Sequence, residues 1–454
     1  MQVGHLPGFA RVSKQMESVL GKGWSANANK NQEVSMMYAV GVDVSNGRST
    51  IAVLDDRRNV VRRPFEVSHT ADGLVRLVEL LNELDGEIRI VLEHTGRYYE
   101  SIAMFLHGAG FFVCALNPLI IRHYGANSIR KVKTDKADAK KLASYALDYW
   151  STLQQYTPAD TIRYELKTLN RQFQLASKNR TACSNNLVAL LEQTFPHARS
   201  LFESPVRSDG TQKWVDFVYT FWHADCVSKL SCNAFTEKYQ KWCTRHGYNF
   251  SKRKAAEIHQ IARQVLPLVP KSEIAKLMVK EAVNQLNTIS HTVEIFRAEM
   301  NRLASKLPEY ETVMAMTGVG PSMGPQLMAE IGDPRRFRHP KSLVAYAGID
   351  PEKDDSGDKN RKSMPTTKRG SPYLRRTLFI IMSVLLQLHP VDEPVYQFLD
   401  KKRSEGKPYY VYMTAGNTKF LRIYYGKVRD ALKAKGLWES LPTEFLSSEP
   451  VNPV

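Results

Sequence analysis

Tyr38-Ala39-Val40-Gly41-Val42-Asp43-Val44 is an apolar run broken by one acid near its end and followed by Ser45-Asn46-Gly47. Such a run, rich in β-branched residues and closed by a turn, predicts a buried central strand. Thr50 to Asp55 and Val60 to Val67 predict two more strands, antiparallel because their connections are short. Leu74, Leu77, Val78 and Leu81 recur at helical spacing. Ile88-Arg89-Ile90-Val91-Leu92-Glu93 is again a strand ending in an acid. A helix (Tyr98 to Leu106) and a strand (Phe111 to Leu116) follow.

Downstream lies Lys131-Val132-Lys133-Thr134-Asp135-Lys136-Ala137-Asp138-Ala139. Asp135 and Asp138 precede the helical pattern Leu142, Ala143, Ala146, Leu147, which puts both acids on one helical face, ringed by cations. Two acids on a solvated helix are commonplace, and Asp43 or Glu93 alone could be an ordinary strand-end acid. Their joint order is more telling. Three early strands followed by alternating helices and strands predict a ribonuclease-H-like α/β domain over residues 37–150. In that order Asp43 and Glu93 close neighbouring strands and the late helix could bring Asp135 and Asp138 against them. Four carboxylates in one place repel unless cations neutralise them. Two Mg²⁺ ions about 4 Å apart are the usual solution at a phosphodiester.

The whole chain sets wider bounds. Its 454 residues suffice for two or three domains, and 43% hydrophobic with 24% charged residues describes a globular protein. A net charge of +17 predicts an anionic polymer as partner, nucleic acid ahead of an acidic membrane. No apolar run reaches the roughly 18 residues of a membrane span, and no secretory signal opens the chain, so a cytoplasmic location is expected. Five scattered cysteines do not make a disulfide framework. No Walker A sequence occurs, so no nucleotide cofactor is expected. Residues 1–36 are polar and irregular and predict a flexible leader.

The middle, residues 151–307, predicts a long helical arm. Ile162, Leu166, Leu169, Phe173, Ala176, Arg180, Cys183, Leu187 and Leu190 alternate spacings of four and three, as do Val279 through Leu307. That is coiled-coil spacing, paired within the chain or between protomers, with Arg180 at a seam position. An insertion over about 196–270 carries Trp214, Trp222 and Trp242. His223, Asp225, Cys226, Cys232, Cys243 and His246 are possible zinc ligands there, but their spacing matches no finger, so a small packed insertion is expected.

Residues 308–436 predict a mainly helical domain, with a loose tail over 437–454. Thr317-Gly318-Val319-Gly320 opens a helical stretch, so Gly318 and Gly320 could present backbone N–H groups to a phosphate, as a helix-hairpin-helix does, or simply make a tight turn. From Arg335 to Arg376 there are 12 Lys/Arg against 5 Asp/Glu. Lys359, Arg361, Lys362, Lys368, Arg369, Arg375 and Arg376, with Lys133 upstream, are the candidate nucleic-acid-binding cations. A serine in such a basic loop, Ser356, is ordinarily just solvated.

Taken in order, Gly41-Val42-Asp43, Glu93-His94-Thr95-Gly96, Asn117-Pro118, Lys133 to Ala139, Thr317 to Gly320, Ala345 to Pro351, Ser356-Gly357 and Lys368 to Arg376 resemble the bridge-RNA-guided insertion-sequence transposases. These pair an Asp-Glu-Asp-Asp RuvC-like domain with a serine-bearing C-terminal domain and have Piv-like DNA invertases as relatives. The resemblance covers about residues 37–150 and 308–435. It implies that Asp43, Glu93, Asp135 and Asp138 hold Mg²⁺ and that Ser356 becomes covalently joined to DNA. Thr367 stands where relatives often carry a second serine. It further implies donor and target DNA, a structured guide RNA, and a dimer or tetramer whose composite site forms between protomers. Two other readings remain: a Holliday-junction-type nuclease using the same acids with water as nucleophile, and an inert nucleic-acid-binding protein. Dispensability of Ser356 would mark the nuclease.

Overall fold

The computed structural model describes residues 36–94, 98–124, 134–156, 160–351 and 365–438. Lys133, Ser356, Lys359, Arg361, Lys362, the leader before Met36 and the tail after Trp438 lie outside the described residues. Backbone contacts divide the chain into two units, one reaching to Thr161 and the other starting at Ile162.

The first unit is built on β1 (Met36–Ser45), β2 (Arg48–Asp55), β3 (Val60–Ser68), α1 (Ala71–Asn82), β4 (Gly86–Glu93), α2 (Tyr98–Gly108), β5 (Phe112–Leu116), α3 (Pro118–Tyr124) and α4 (Asp135–Asp148). The strands form one mixed sheet in the order β3-β2-β1-β4-β5. β1 pairs antiparallel with β2, and β2 with β3, as their short turns require. β4 lies parallel to β1 on its other edge, with β5 parallel beyond it. The two-residue period of β1 decides what covers each face. Val40 and Val42 pack with Leu74, Leu77 and Ile102 from α1 and α2. Ala39 packs on the opposite face with Val91, Leu142, Ala143 and Ala146. Gly41 lets α4 approach closely there: a Cβ on it would overlap the Ala139 carbonyl oxygen and stand 2.5 Å from the Ala143 nitrogen.

The second unit contains α5 (Thr161–Thr194), α6 (Lys213–Thr220), α7 (Asp225–Ser228), α8 (Cys232–Arg245), α9 (Lys252–Gln264), α10 (Glu273–Ala304), α11 (Tyr310–Met314), α12 (Gly324–Ile331), α13 (Pro340–Ala347), α14 (Pro372–Leu388), α15 (Pro394–Ser404) and α16 (Tyr409–Ala434). The start of α5 and the end of α10 share one core with the C-terminal helices. The end of α5 and the start of α10 share another with the insertion. The two long helices therefore run in opposite directions and pair within the chain. Arg180, the charged residue on their seam, reaches Glu294 at 3.4 Å.

In the insertion, three of the possible zinc ligands take part in packing, while Cys232 is exposed. His223 Nε2 lies 3.0 Å from the Val269 carbonyl oxygen, His246 packs on the Trp242 ring, and Cys243 is buried beside Tyr239. All five cysteines are free. No described helix is long and apolar enough to cross a membrane.

Candidate active site

β1 and β4 carry their acids to the same level. Their parallel register pairs Val40 with Ile90, Gly41 with Val91 and Val42 with Leu92. The next step sets Asp43 beside Glu93, on strands about 4.8 Å apart. Asp43 shares the face of Ala39 and Gly41, and Glu93 the face of Val91, which is the face covered by α4. On their outer neighbours, Asp43 is opposite Thr50 and Glu93 opposite Leu116.

The direction of α4 follows from its far end. Tyr38 pairs with Asp55 at the start of β1. The turn after Asp55 holds Arg58, which forms an ion pair with Asp148 at the end of α4. Arg89, level with Ala39, donates to the Trp150 carbonyl just beyond that helix. The C-terminus of α4 thus lies at the start of β1, and its N-terminus at the other end. From Asp148 back to Asp135 an α-helix rises about 20 Å, and from Tyr38 to Asp43 a strand rises about 17 Å. Asp135 and Asp138 therefore come to the sheet end that carries Asp43 and Glu93.

Thr134 caps α4, its hydroxyl accepting from the Ala137 N–H at 3.2 Å. Acids in this first turn also favour the helix by facing its positive end. Asp135 is exposed, and Asp138, Asp43 and Glu93 are half-buried. Among the described residues, no three His, Cys, Asp or Glu side chains stand close enough together to hold a metal ion. As a chemical type the set suits a hard divalent cation, being carboxylates only, although the four side chains are not gathered into one cluster here.

In the second unit, the segment that carries Ser356 is anchored at both ends. Pro351 forms a β-bridge with Thr366. Thr367 N–H donates to the Asp350 carbonyl at 3.0 Å, and its hydroxyl donates to the Asp350 carboxylate at 2.8 Å. Thr367 thus has a structural use at the base of this segment. Lys368 and Arg369 follow it and are exposed. Arg375 braces the turn from within, donating to the carbonyls of Ala347 at 3.0 Å and Gly370 at 2.9 Å. Arg376 donates to Gln174 of α5. Gly318 takes φ +80° and faces Leu385, so it makes a packed interhelical turn, whereas nothing lies near a Cβ on Gly320.

Sequence reasoning missed a buried polar set. Glu330, 1% exposed, accepts from Asn170 at 2.6 Å, Ser371 at 2.8 Å and Arg171 at 3.1 Å. Arg163 grips buried Glu309 with both terminal nitrogens, at 2.5 and 2.9 Å. The signal was an acid inside the apolar run Leu327-Met328-Ala329-Glu330-Ile331 and polar residues on the inner face of α5.

A transposase profile of the DEDD, IS110 type matches residues 40–196, and the profile "Transposase IS116/IS110/IS902 family" matches residues 310–397. The mini-circle transposase for IS117 from Streptomyces coelicolor is 25% identical over 345 residues, covering 72% of this chain and 80% of its own length. The pilin gene-inverting protein of Moraxella bovis is 24% identical over 347 residues, covering 75% and 80%. That of Moraxella lacunata is likewise 24% identical over 347 residues, with the same coverage. This chain belongs to the IS116/IS110/IS902 family of transposases and is a DNA transposase/recombinase.

Proposed function

We propose that this transposase cuts and exchanges DNA strands at a site made of a RuvC-like carboxylate set and a serine nucleophile, with targets chosen through a structured guide RNA. What supports the reading is that β1 and β4, which carry Asp43 and Glu93, are parallel neighbours, and that α4, whose first turn bears Asp135 and Asp138, packs on β1 at Gly41. The strand order β3-β2-β1-β4-β5, three antiparallel strands followed by two parallel ones, supports a ribonuclease-H-like domain. Asp43, Glu93, Asp135 and Asp138 would hold Mg²⁺, which when bound polarises the scissile phosphate and neutralises charge on the oxygens around it.

Serine is a weak nucleophile at neutral pH and needs activation. In this reading the Ser356 hydroxyl attacks the phosphorus, the bond from phosphorus to a deoxyribose oxygen breaks, and the serine proton passes by way of solvent to that oxygen, which leaves as a hydroxyl. Neighbouring cations, Lys368 and Arg369 among them, stabilise the negative charge that develops. The phosphoserine ester keeps the energy of the phosphodiester, so a second deoxyribose hydroxyl can displace the serine and religate the strand without ATP. The diffuse +17 charge favours a partner read by shape and backbone, as a folded RNA is. Assembly of protomers would complete the site.

The test is a denaturing gel for a covalent protein–DNA adduct, with the full chain, Mg²⁺, donor and target DNA and RNA from the element's flank. An adduct lost in Ser356→Ala and Asp43→Asn but kept in Thr367→Val is the expected result. Cleavage without adduct, unchanged in Ser356→Ala, would replace the serine with water and leave a metal-dependent nuclease.

A further inference from the structure

A groove of about 630 Å³ opens beside α14 and the start of α16. Lys368, Arg375 and Arg376 line it, together with Phe379, Tyr409 and Tyr410. No Asp or Glu is among the described residues that line it. Tyr410 is 73% exposed and Tyr409 47%, so two large aromatic rings are held in water next to three cations. Tyr410 leans on Phe379 with ring centroids 6.3 Å apart, and Tyr409 meets it edge-on at 5.2 Å. The rings are therefore placed by neighbours and still show their faces to solvent. Folding gains nothing from leaving such surface exposed, which marks it for a partner.

We infer that this groove takes an unpaired nucleotide of a nucleic-acid strand, its base stacked on Tyr410 and its phosphates met by Lys368 and Arg376. Charge selects an anion, and aromatic faces select something flat. An unpaired nucleotide has both, whereas the base faces of a duplex are already covered by their neighbours. An apolar peptide would leave the three cations unmatched. Thr366 and Lys368, both on the groove wall, directly follow the segment that bears Ser356, so a strand held here is threaded close in the chain to that segment. The inference rests on the chain acting on nucleic acid, not on the serine or the four acids.

The full-length protein is titrated into a labelled single-stranded DNA of about 12 nucleotides, its RNA equivalent and the matching duplex. Tyr410→Ala is expected to weaken single-strand binding about 10-fold while duplex binding stays within about twofold, and Tyr410→Phe to restore it. Whichever of DNA and RNA loses more identifies the source of the strand. Photo-crosslinking of a 5-iodouracil strand should map to Tyr409 or Tyr410. Unchanged single-strand affinity in Tyr410→Ala, an equal loss on duplex, or crosslinks confined to other regions would each overturn the inference.

Discussion

Gly41 of β1 lies directly against Ala139 of α4, so close that a Cβ on the glycine would overlap the Ala139 carbonyl oxygen. This contact fixes how near α4 comes to the strand whose next residue on that face is Asp43. Because α4 starts one turn before Ala139, the same contact sets where Asp135 and Asp138 stand relative to the strand end.

A side chain at Gly41 should therefore disable the site without touching any acid. Its neighbours are helix backbone, which cannot rotate away, so Gly41→Ala should cost about 1–3 kcal/mol and Gly41→Val more. Strand cleavage should fall further than stability does, because the helix is displaced at the end that bears Asp135 and Asp138, the acids of the proposed site. Calorimetry and a cleavage assay on the same preparations check this. Wild-type melting and cleavage in Gly41→Ala would show that the close approach is not needed.

Thr367 and Asp350 make a second separable prediction. The Thr367 hydroxyl is a donor to the Asp350 carboxylate at 2.8 Å, which ties the two ends of the Ser356-bearing segment together. Thr367→Val should lower stability by about 1 kcal/mol and slow adduct formation, yet leave the adduct on Ser356. Thr367→Ser keeps the donor and should behave as wild type. Peptide mapping of the adduct decides between them. DNA attached at position 367 in the wild-type protein would refute the structural role.

The sheet was legible because each strand announces itself locally. Val40, Val42, Ile90 and Leu92 alternate or run together as buried strands do, and the short turns joining β1, β2 and β3 fix the antiparallel pairing of those three. The long helices α5 and α10 were legible from their heptad spacing, including Arg180, whose partner Glu294 lies 114 residues away. The short helix α3 escaped because seven residues give too few repeats of a 3.6 period. The Glu330 and Glu309 clusters escaped for a different reason. Their partners on α5 are 146 to 160 residues distant, and no local pattern reports a tertiary ion pair. The placement of Asp43 and Glu93 towards the ends of their strands could be read because strand ends are local features. The constraint on Arg375 and Arg376 could not, since the carbonyls and Gln174 that hold them come from elsewhere in the fold.

The Arg163–Glu309 pair should be severe to break and mild to replace. Both side chains are buried, 5% and 0% exposed, and the guanidinium also donates to the Gly332 carbonyl at 2.9 Å. Arg163→Met leaves a carboxylate in the core with no cation and should cost about 3–5 kcal/mol. Arg163→Met combined with Glu309→Leu removes both charges and should recover most of that loss. Denaturant melts of the two single variants and the double variant form the cycle. A double variant as unstable as the sum of the singles would mean that the pair does not act as a unit.

Stability of the first unit should also fall on mild acidification. Burial lowers the pKa of both His69 and His107 below the ordinary value of 6.5, because the cation is disfavoured away from water. His69 lies 2.7 Å from the Ser49 hydroxyl, and His107 packs edge-on to Tyr156. With folded values below the unfolded one, the unfolded chain takes up protons that the folded chain refuses. Stability is then full above about pH 6.5 and declines as pH falls below it, the opposite of a histidine that gains an acidic partner. Ordinary Asp and Glu groups stay ionised down to about pH 5, so this window isolates the histidines. Melts at pH 7.5, 6 and 5 should show a steady loss in the wild-type protein. His69→Gln with His107→Leu should flatten that slope even if the variant starts from a lower melting temperature. An equal slope in the double variant would assign the acid sensitivity to other groups.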